Sequence, residues 1–434
     1  MEAKTVQEPA VAVADSSRSQ MERRLTWSAF VILLILALSY AVNAADRNVF
    51  PVLLGGIRKD FGFSLEAAGL LSTVFTLGLG LGGIPAGRLM DRMSRKTVML
   101  IGIFVYSAFT LLTPLAFGYG DMMAYRVFSG VGEAMQNAAL FTAVGAYFYA
   151  TRSTALGILN ISYGFGGTIG PYLGAVLATR SGHWQLPFYI YAIVGFVFCA
   201  IILFGISKRY TEAEDRKQND RLKDGGTADS GLAELPSTLL NRNTALICAS
   251  ISIAGFCLYS YLGLYPTYLQ TQLGFSVDQA GFAASMFGLG SLVASVPAGW
   301  LGDKLGNRTM SQVSFIGVPI VAILMFFVAK TPSSQSTLSF LEGAFGSGTI
   351  YVNLYAYVQR SLSSGHIGRA SGAFVTYFFL PSTVAGYFFG YMVHHGSWGM
   401  AAVAQLVILP LVGLAVVSLV RIPRRRADGT VTFS

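Results

Sequence analysis

The sequence predicts an all-α membrane protein with twelve transmembrane helices in two pseudo-symmetric six-helix bundles. Three observations support this fold class. Hydrophobic residues make up 53% of the 434 residues and charged residues only 12%, whereas a soluble domain carries roughly 25% charged residues. The apolar residues form about a dozen runs of roughly 20 residues, which is the length that a helix needs to cross about 30 Å of hydrocarbon. One segment of the sequence recurs in both halves of the chain.

The apolar runs are continuous rather than alternating, which favours helices over the strands of a membrane barrel. A helix also pairs every backbone polar group within its own span. The twelve predicted spans are 25–55, 65–88, 97–118, 121–148, 153–179, 184–207, 243–270, 277–301, 309–330, 335–360, 367–393 and 398–421.

A long hydrophilic connection between the sixth and seventh spans divides the chain into two halves. Its mixed charges are typical of a solvated linker without a binding role. The chain shows no apolar signal-peptide region near its start. The predicted organisation is a tail over 1–24, an N-terminal bundle over 25–208, a linker over 209–242, a C-terminal bundle over 243–422 and a tail over 423–434.

Lysine and arginine are concentrated on the side of the predicted bundle that carries the linker. Because positive charges near span ends are retained in the cytoplasm, both termini and the linker are predicted to be cytoplasmic. Anionic lipid headgroups account for the net charge of +9, so no nucleic-acid partner is expected. The compact outer loops favour a multi-pass protein of the bacterial inner membrane, and we expect a monomer.

Four ionisable residues interrupt the apolar spans: Asp46 and Arg47 in the first span, and Arg126 and Glu133 in the fourth. A charge among lipid tails is costly, so such residues usually face a protein interior or a watery cavity and mark a functional site. Two acids and two arginines suit the handling of protons and anions. The alternative is a structural salt-bridge network that joins the two spans.

The repeated segment begins at Pro85 and again at Pro297, after the second and eighth spans. In each copy a glycine is followed by an aspartate and basic residues, which suits a hinge, because glycine allows helices to approach closely and the aspartate can meet helix N-termini and arginines across the gap. Internal duplication is typical of transporters whose halves rock about a central substrate site. The predicted gating residues are Gly87, Asp91, Arg92, Arg95, Gly299, Asp303 and Arg308.

These features resemble the major facilitator superfamily along essentially the whole chain. The loop after the second span is similar to the signature of that family, with Ser94 where a glycine is usual. The stretch from Arg126 to Glu133 looks like its second motif, and Gly170-Pro171 looks like a motif of exchangers. The resemblance implies transport by alternating access.

Within that superfamily, the Asp-Arg pair and the Arg-Glu spacing resemble the anion:cation symporters. This resemblance implies that Arg47 and Arg126 bind an anionic substrate and that Asp46 and Glu133 carry protons. Spinster-like lipid carriers share the Asp-Arg pair and the Gly130–Ala134 stretch, so the motifs leave the cargo open.

The second half supplies further candidates. When Gly346 is aligned with Gly130, Glu342 takes the repeat position of Arg126, and it is interpreted either as a third proton site or as a residue of the watery mouth. Together with the two arginines, the predicted substrate-binding residues are Asn160, Tyr163, Tyr261, Tyr265, Tyr355 and Tyr377. Tyrosines at helical spacing are more often packing or interface residues.

No cofactor other than protons as coupling ions is expected, and no metal. The cysteines fall within apolar spans and are interpreted as buried hydrophobes. His394 and His395 are adjacent at a span end and could bind a metal, but no acidic partner is expected nearby at the membrane interface, so a metal site is not predicted. The sequence shows no nucleophile–base pair, phosphate loop or metal cluster, so an enzyme is not expected.

The leading hypothesis is a secondary active transporter that takes up a small organic carboxylate by proton-coupled symport. One alternative is a proton-coupled exporter of drugs or amphipathic compounds, suggested by the glycine-proline motif and the aromatic second half. Another is a Spinster-like lysolipid transporter, which requires a tall apolar cavity. A non-transporting sensor is a further possibility of a different class.

Overall fold

The computed structural model describes residues 27–148, 152–212, 241–361, 367–420, 423–425 and 431–433. Within these residues, twelve helices form two groups of six. The N-terminal half contains α1 (Trp27–Phe61), α2 (Leu65–Thr73 and Phe75–Met90), α3 (Arg95–Leu112), α4 (Tyr119–Tyr147), α5 (Arg152–Ser181) and α6 (Gln185–Gly205). The C-terminal half contains α7 (Arg242–Thr271), α8 (Val277–Leu305), α9 (Asn307–Ile323), α10 (Pro332–Gly343 and Ile350–Arg360), α11 (Ile367–Ser382 and Ala385–His394) and α12 (Trp398–Ala402 and Leu409–Ser418).

Shorter elements complete the described residues. Turns of 3₁₀-helix cover Thr113–Leu115 and Lys208–Tyr210, and π-helical turns cover Leu324–Val328, Ala344–Thr349 and Val403–Ile408. After the last helix, strands β1 (Pro423–Arg425) and β2 (Val431–Phe433) pair antiparallel. The predicted fold class is confirmed, since the strands lie outside the bundle. The central linker beyond Glu212, and the predicted N-terminal tail, fall outside the described residues.

Nine of the helical stretches in the described part of the chain are long and apolar enough to cross a membrane. The three helices not among them are α4, which contains Arg126 and Glu133, the glycine-rich α5, and α10, which a π-helical turn divides. Two of these three helices, α4 and α5, carry motifs that the sequence indicated, and α10 carries Glu342.

Side-chain caps explain where several helices begin. Ser64 accepts a hydrogen bond from the backbone N–H of Ala67 at the start of α2, and Asn241 accepts one from Thr244 at the start of α7. At the start of α8, Ser276 and Gln279 form a reciprocal capping box. Such caps satisfy N–H groups that have no partner inside the helix.

Two of the predicted continuous spans contain a non-helical break, whereas α10 and α12 continue through π-helical turns. The two breaks meet between the halves. Helix α2 is interrupted at Val74 and α11 after Ser382. The Thr73 hydroxyl donates to the backbone oxygen of Thr383 at 2.7 Å, and the Thr76 hydroxyl lies 3.3 Å from the Thr383 hydroxyl. A helix break frees backbone groups that need new partners, and here hydroxyls of the opposite half provide them.

The two halves pack together at one end of the bundle. We call the end where α1 begins and α6 ends the linker end, and the opposite end the far end. From the far end to about mid-helix, α2 packs on α11 and α5 packs on α8. Gly69 and Gly386 lie so close that a Cβ on either would collide with the backbone of the other. Small residues of this kind let membrane helices approach closely.

The hydrophobic cores follow the same division. One buried cluster combines the far-end parts of α1, α2 and α6 with residues of the C-terminal half, including Phe50, Phe188 and Tyr268. A second cluster lies at the linker end and contains residues of the N-terminal half alone, including Leu36 and Tyr106. The halves are therefore held together at the far end.

Candidate functional site

The functional site begins with an ion pair between α1 and α4. The Arg47 guanidinium lies 2.6 Å (Nη2) and 2.7 Å (Nε) from Glu133 Oε2. Glu133 is 0% exposed, so neither charge is screened by bulk water. Arg47 Nη1 also donates to the Tyr163 hydroxyl of α5 at 3.1 Å. Of the four predicted charged residues, Arg47 and Glu133 therefore meet, and Tyr163 of α5 joins them.

A second set of polar contacts between α1 and α4 lies one helical turn from the ion pair, toward the linker end. Asn43 Nδ2 donates to Gln136 Oε1 at 2.8 Å, and Gln136 Nε2 lies 3.3 Å from the backbone and side-chain oxygens of Ser39. Asn43 Oδ1 also accepts from Arg47 at 3.3 Å. These amides were not among the predicted site residues, although their spacing of four and three residues from Arg47 and Glu133 places them on the same helix faces.

Arg126 occupies a separate position, two helical turns from Glu133 toward the far end. Its guanidinium lies over the rings of Phe50 and Phe75, with 4.3 and 4.8 Å between its Cζ and the ring centroids, and its Nε donates to the Leu71 backbone oxygen at 3.4 Å. The side chain is 3% exposed, and among the described residues its Nη2 has no hydrogen-bond partner. Arg126 is thus a buried cation whose Nη2 group is available to donate a hydrogen bond to a ligand.

Asp46 faces away from its neighbour Arg47. Its Oδ2 accepts a hydrogen bond from the Thr110 hydroxyl of α3 at 2.6 Å, and the residue is buried. Adjacent positions on a helix point in different directions. Within the predicted Asp-Arg pair, Asp46 therefore contacts α3, whereas Arg47 contacts α4. The four side chains contain two positive and two negative groups when all are ionised.

Phe75 connects the two arginines to the opposite half of the protein. Its ring centroid lies 5.9 Å from Arg47 Cζ and 4.8 Å from Arg126 Cζ. On α7, the ring of Tyr259 makes an edge contact with it at 5.7 Å. The charged network therefore reaches the interface between the halves through aromatic rings.

A cavity of about 70 Å³ lies between the halves beside this network. Tyr163 belongs to both, because it lines the cavity and accepts the bond from Arg47. Polar cavity groups absent from the predicted site are Asn48, Tyr259, Ser291 and Ser347. Asn48 directly follows Arg47 and Tyr259 lies two residues before Tyr261, so proximity to predicted residues could have indicated these two. No sequence pattern distinguishes Ser291 and Ser347.

The predicted substrate-binding tyrosines of the C-terminal half separate into two groups. Tyr261 and Tyr265 line the cavity and stack on each other at 4.6 Å. The Tyr261 hydroxyl lies 2.8 Å from that of Ser339, and Tyr265 donates to the Gln335 side-chain oxygen at 3.1 Å.

Tyr355 and Tyr377 are placed elsewhere. Tyr355 packs edge-on against Phe374 at 4.9 Å, and Tyr377 is 46% exposed. On α5, Asn160 is exposed and lies outside the set of residues that line the cavity. Their roles stay predictions.

The repeat alignment used for Glu342 is wrong. In the repeat, Phe75 and Gly78 of α2 correspond to Phe287 and Gly290 of α8. Each pair of residues is as far apart in the sequence as the repeated prolines Pro85 and Pro297. A Cβ on Gly130 would collide with the backbone of Phe75, whereas a Cβ on Gly343 would collide with the backbone of Phe287. Helix packing thus pairs Gly130 with Gly343, rather than with Gly346.

This register places Ser339 at the position of Arg126 and Gly346 at the position of Glu133. Glu342 corresponds to Ser129 instead. It is 3% exposed, and its Oε2 has no hydrogen-bond partner among the described residues. Glu342 is therefore buried rather than placed in an open mouth, and its role as a proton site stays a prediction.

The repeated loops make different contacts in the two halves. At the start of α3, the backbone N–H groups of Arg95 and Lys96 donate to the two Glu212 oxygens at 3.0 Å each. Asp91 ends α2, with its backbone N–H bonded to the Gly87 oxygen. The N-terminus of α3 is therefore occupied by Glu212 rather than by Asp91.

In the second half, Asp303 forms an ion pair with Arg360 at 2.5 Å, and Arg308 donates to the Ser418 backbone oxygen at 2.6 Å. The Cβ position of Gly299 lies 3.5 Å from Val352. These contacts join α8, α9, α10 and α12 within one half. The proposed gating role of both loops, including Arg92, stays a prediction.

The expectation that His394 and His395 have no acidic partner nearby is also wrong. Glu66, at the start of α2, hydrogen-bonds to His394 Nδ1 at the end of α11. The residues are far apart in the sequence, and the packing of the halves brings them together.

Two six-helix halves of membrane-spanning length, with a buried ionisable network beside a cavity between them, define a multi-pass membrane transporter. The chain belongs to the Major Facilitator Superfamily, whose sequence profile matches residues 36–277 and 247–432. The predicted superfamily is thereby confirmed, and it is a family of transporters rather than of enzymes.

Individual relatives are distant but extensive. The chain is 24% identical to a "Hexuronate transporter" of Bacillus subtilis (strain 168) over 79% of this chain and 82% of the relative. It is 26% identical to a "Cis,cis-muconate transport protein" of Acinetobacter baylyi over 88% and 91%.

Solved structures share the fold. A bacterial homologue of the human lysosomal transporter Spinster, in an inward-facing and occupied conformation, has a TM-score of 0.71 at 17% identity and covers 90% of this chain and 96% of its own. A D-xylose–proton symporter has a TM-score of 0.68 at 17% identity, with 88% and 97% covered. At this identity the similarity establishes the architecture alone.

Proposed function

We propose that the protein takes up a small organic carboxylate by symport with protons, through alternating access of a site between its halves. The observation that carries the proposal is the buried network of Arg47, Glu133, Arg126 and Asp46. The relatives described as transporters of hexuronate and muconate support a carboxylate as the cargo.

Arg126 is the proposed first anchor for the substrate carboxylate. Its Nη2 has no hydrogen-bond partner among the described residues, and an unpaired buried donor favours an incoming acceptor. The planar guanidinium suits a carboxylate, with which it forms two parallel bonds. Stacking between Phe50 and Phe75 holds that plane in place.

Charge balance supplies the reason for proton coupling. Fully ionised, the four residues are neutral together, and a bound monoanion adds one uncompensated negative charge to a buried site. Such a charge costs several kcal/mol unless it is paired. Protonation of Glu133 restores neutrality and releases Arg47 toward the substrate. By the same reasoning a dianion requires a second proton, for which Asp46 is the proposed acceptor.

The cavity residues are proposed to bind the uncharged part of the cargo. Tyr163, Tyr259 and Tyr261 offer hydroxyls, and Asn48, Ser291 and Ser347 offer further polar groups. A volume of about 70 Å³ is well below the roughly 300–1,000 Å³ of typical ligand pockets. Substrate entry therefore requires the halves to separate further at the linker end.

The linker end is proposed to face the cytoplasm, as the distribution of lysine and arginine predicts, and the bacterial inner membrane is the proposed location. The structure has the halves packed at the far end, and Cβ atoms at Gly87 of α2, Gly157 of α5 and Gly372 of α11 would meet no atom of the described residues within 4 Å. This arrangement suits a transporter that opens toward the cytoplasm.

The test is uptake of labelled glucuronate and labelled muconate into proteoliposomes under an inward proton gradient, with the membrane potential clamped. Arg47→Ala and Arg126→Ala are expected to lower uptake at least about tenfold, because a lost charge-assisted contact is worth about 1.5–3 kcal/mol. Proton flux is expected to accompany the anion one for one with glucuronate.

Arg180→Ala is the matched control, since Arg180 ends α5 at the far end and is exposed. Its uptake is expected to equal that of the unmodified protein. Uptake that is unchanged in both Arg47→Ala and Arg126→Ala, or uptake that is independent of the proton gradient, contradicts the proposal.

A further inference from the structure

A second cluster of ionisable side chains lies at the far end, away from the buried network. Glu66 belongs to the first turn of α2 in the N-terminal half, and His394 and His395 end α11 in the C-terminal half. One potential ligand atom from each residue lies within 4.8 Å of the other two. Two imidazoles and a carboxylate form a donor set suited to zinc.

The hydrogen bonds of His395 determine which of its nitrogens can bind a metal. Its Nδ1 lies 3.0 Å from the Tyr391 backbone oxygen, and a carbonyl oxygen only accepts, so Nδ1 carries the proton in the neutral ring. The lone pair is then on Nε2. Metal-binding histidines typically donate their other ring N–H to a carbonyl or carboxylate in this way. Stacking on the Tyr391 ring at 4.1 Å also orients the imidazole.

Glu66 provides an oxygen that the protein leaves unpaired. Its Oε1 bonds to His394, whereas its Oε2 is buried without a hydrogen-bond partner in the described residues. An unsatisfied buried carboxylate oxygen is unfavourable, and a cation relieves that cost. The His394 side chain is 60% exposed, so the cluster can be reached from solution at the far end.

We propose that Glu66, His394 and His395 form a binding site for a divalent transition-metal ion, of which Zn²⁺ fits best. Zinc at about 2.0–2.1 Å from its ligands requires them to be roughly 3.4 Å apart in tetrahedral geometry. The ligand atoms lie within 4.8 Å of one another, so the widest separation needs to contract by no more than about 1.4 Å, which the exposed histidine side chains allow. Water supplies the fourth ligand.

The position of the site gives metal binding a consequence for the whole protein. Gly390 of α11 packs so closely on Leu65 and Glu66 of α2 that a Cβ there would collide with their backbone. An ion shared by Glu66 and the two histidines therefore joins the halves at the end where they are already in contact. Bound zinc stabilises the conformation with a closed far end and slows its opening.

Isothermal titration of the purified, tag-free protein with Zn²⁺ tests the site independently of transport. We expect one zinc ion per chain and a rise in the midpoint of thermal unfolding, because a ligand that binds only the folded state stabilises it. Glu66→Gln, His394→Ala and His395→Ala are each expected to weaken binding at least about tenfold.

His395→Ala is the most informative variant, because it leaves the hydrogen bond between Glu66 and His394 intact. His183→Ala is the matched control, an exposed histidine at the same end of the bundle whose backbone N–H bonds to Ser181. Its zinc affinity is expected to be unchanged.

The absence of saturable binding up to about 100 µM zinc overturns the proposal. Binding that survives His395→Ala, or that falls equally in His183→Ala, also overturns it. None of these three outcomes bears on the proposed carboxylate transport, since the titration requires no substrate and no proton gradient.

Discussion

The two halves share a repeated framework but differ in the chemistry of their inner helices. In the N-terminal half, α1 and α4 contribute a buried ion pair and a second arginine. At the corresponding positions of α10 stand Ser339 and Gly346, and Ser339 hydrogen-bonds to Tyr261. The same helix packing therefore supports charge in one half and hydroxyl groups in the other.

This difference suggests a division of labour at the substrate site. The N-terminal half has the groups that can compensate the charges of an anion and a proton, whereas the C-terminal half has tyrosines that can fit the neutral part of a substrate. The glycines that hold α2 against α4 and α8 against α10 recur in both halves, since backbone proximity is required in each.

The largest expected effect comes from breaking the ion pair of the N-terminal half. Arg47→Ala leaves Glu133 buried without its partner, which costs about 3–5 kcal/mol in similar cases. We expect a lower midpoint of thermal unfolding as well as lost uptake. Scanning fluorimetry in detergent measures the first effect.

The double variant Arg47→Ala with Glu133→Gln separates stability from function. Removing both charges is expected to restore most of the stability, because no unpaired ion remains, while uptake stays absent. Equal destabilisation in the single and double variants would show that packing, rather than the unpaired charge, is responsible.

The second prediction compares the acids of the two halves. Glu133→Gln is expected to abolish proton-driven accumulation while substrate exchange across the membrane continues, since the neutral side chain no longer requires a proton. Accumulation ratios in proteoliposomes are expected to fall at least about tenfold.

Glu342→Gln neutralises the buried acid of the C-terminal half and is equally isosteric. If coupling is confined to the N-terminal half, accumulation in this variant stays within about twofold of normal. A loss as large as that of Glu133→Gln would place a proton site in both halves and end the proposed division.

The third prediction concerns the hydroxyl groups of the C-terminal half. Tyr261→Phe removes a cavity hydroxyl that is proposed to bind the neutral part of the cargo, and one neutral hydrogen bond is worth about 0.5–1.5 kcal/mol. We expect KM to rise by about two- to tenfold with little change in maximal rate. Concentration-dependent uptake gives both quantities.

Tyr377→Phe is the control for this effect, because Tyr377 is largely exposed and lies outside the group that lines the cavity. Its KM is expected to be unchanged. A larger effect at Tyr377 than at Tyr261 would mean that the substrate binds elsewhere.

The smallest expected effect is at the repeated loops. Asp303→Asn removes the ion pair with Arg360, whose side chains are 66% and 50% exposed. Exposed pairs contribute about 0–1 kcal/mol and are screened by salt, so the unfolding midpoint is expected to change little. Asp91→Asn is the matched change in the other loop.

Uptake rates at low and high salt test whether either loop has a role beyond stability. A strong loss of rate in Asp303→Asn, without a matching loss of stability, would support gating by the C-terminal loop. Equal and negligible effects in both variants would argue against the predicted gating motif.

Most of the architecture could be predicted from the sequence, because lipid imposes a simple rule on length and hydrophobicity. Apolar runs had to be helices, and the repeated proline segment required two related halves. The breaks in α2 and α11 could not be predicted, since the freed backbone of Thr383 depends on a threonine from the other half.

The charged residues of the candidate site could be predicted from the sequence, but the residues that they contact could not. Asp46, Arg47, Arg126 and Glu133 were conspicuous because each is costly in an apolar span. Nothing in the sequence showed that Asp46 turns to Thr110 while Arg47 turns to Glu133. That choice depends on which neighbouring helix each face meets.

By itself, therefore, the sequence determined the membrane class, the helices and the identity of the buried charges, because these follow from local hydrophobicity and spacing. The tertiary structure alone decided the register of α10 against α8, the cavity between the halves and the meeting of Glu66 with His394. Those features arise from contacts between helices far apart in the chain, and local patterns carry no record of such contacts.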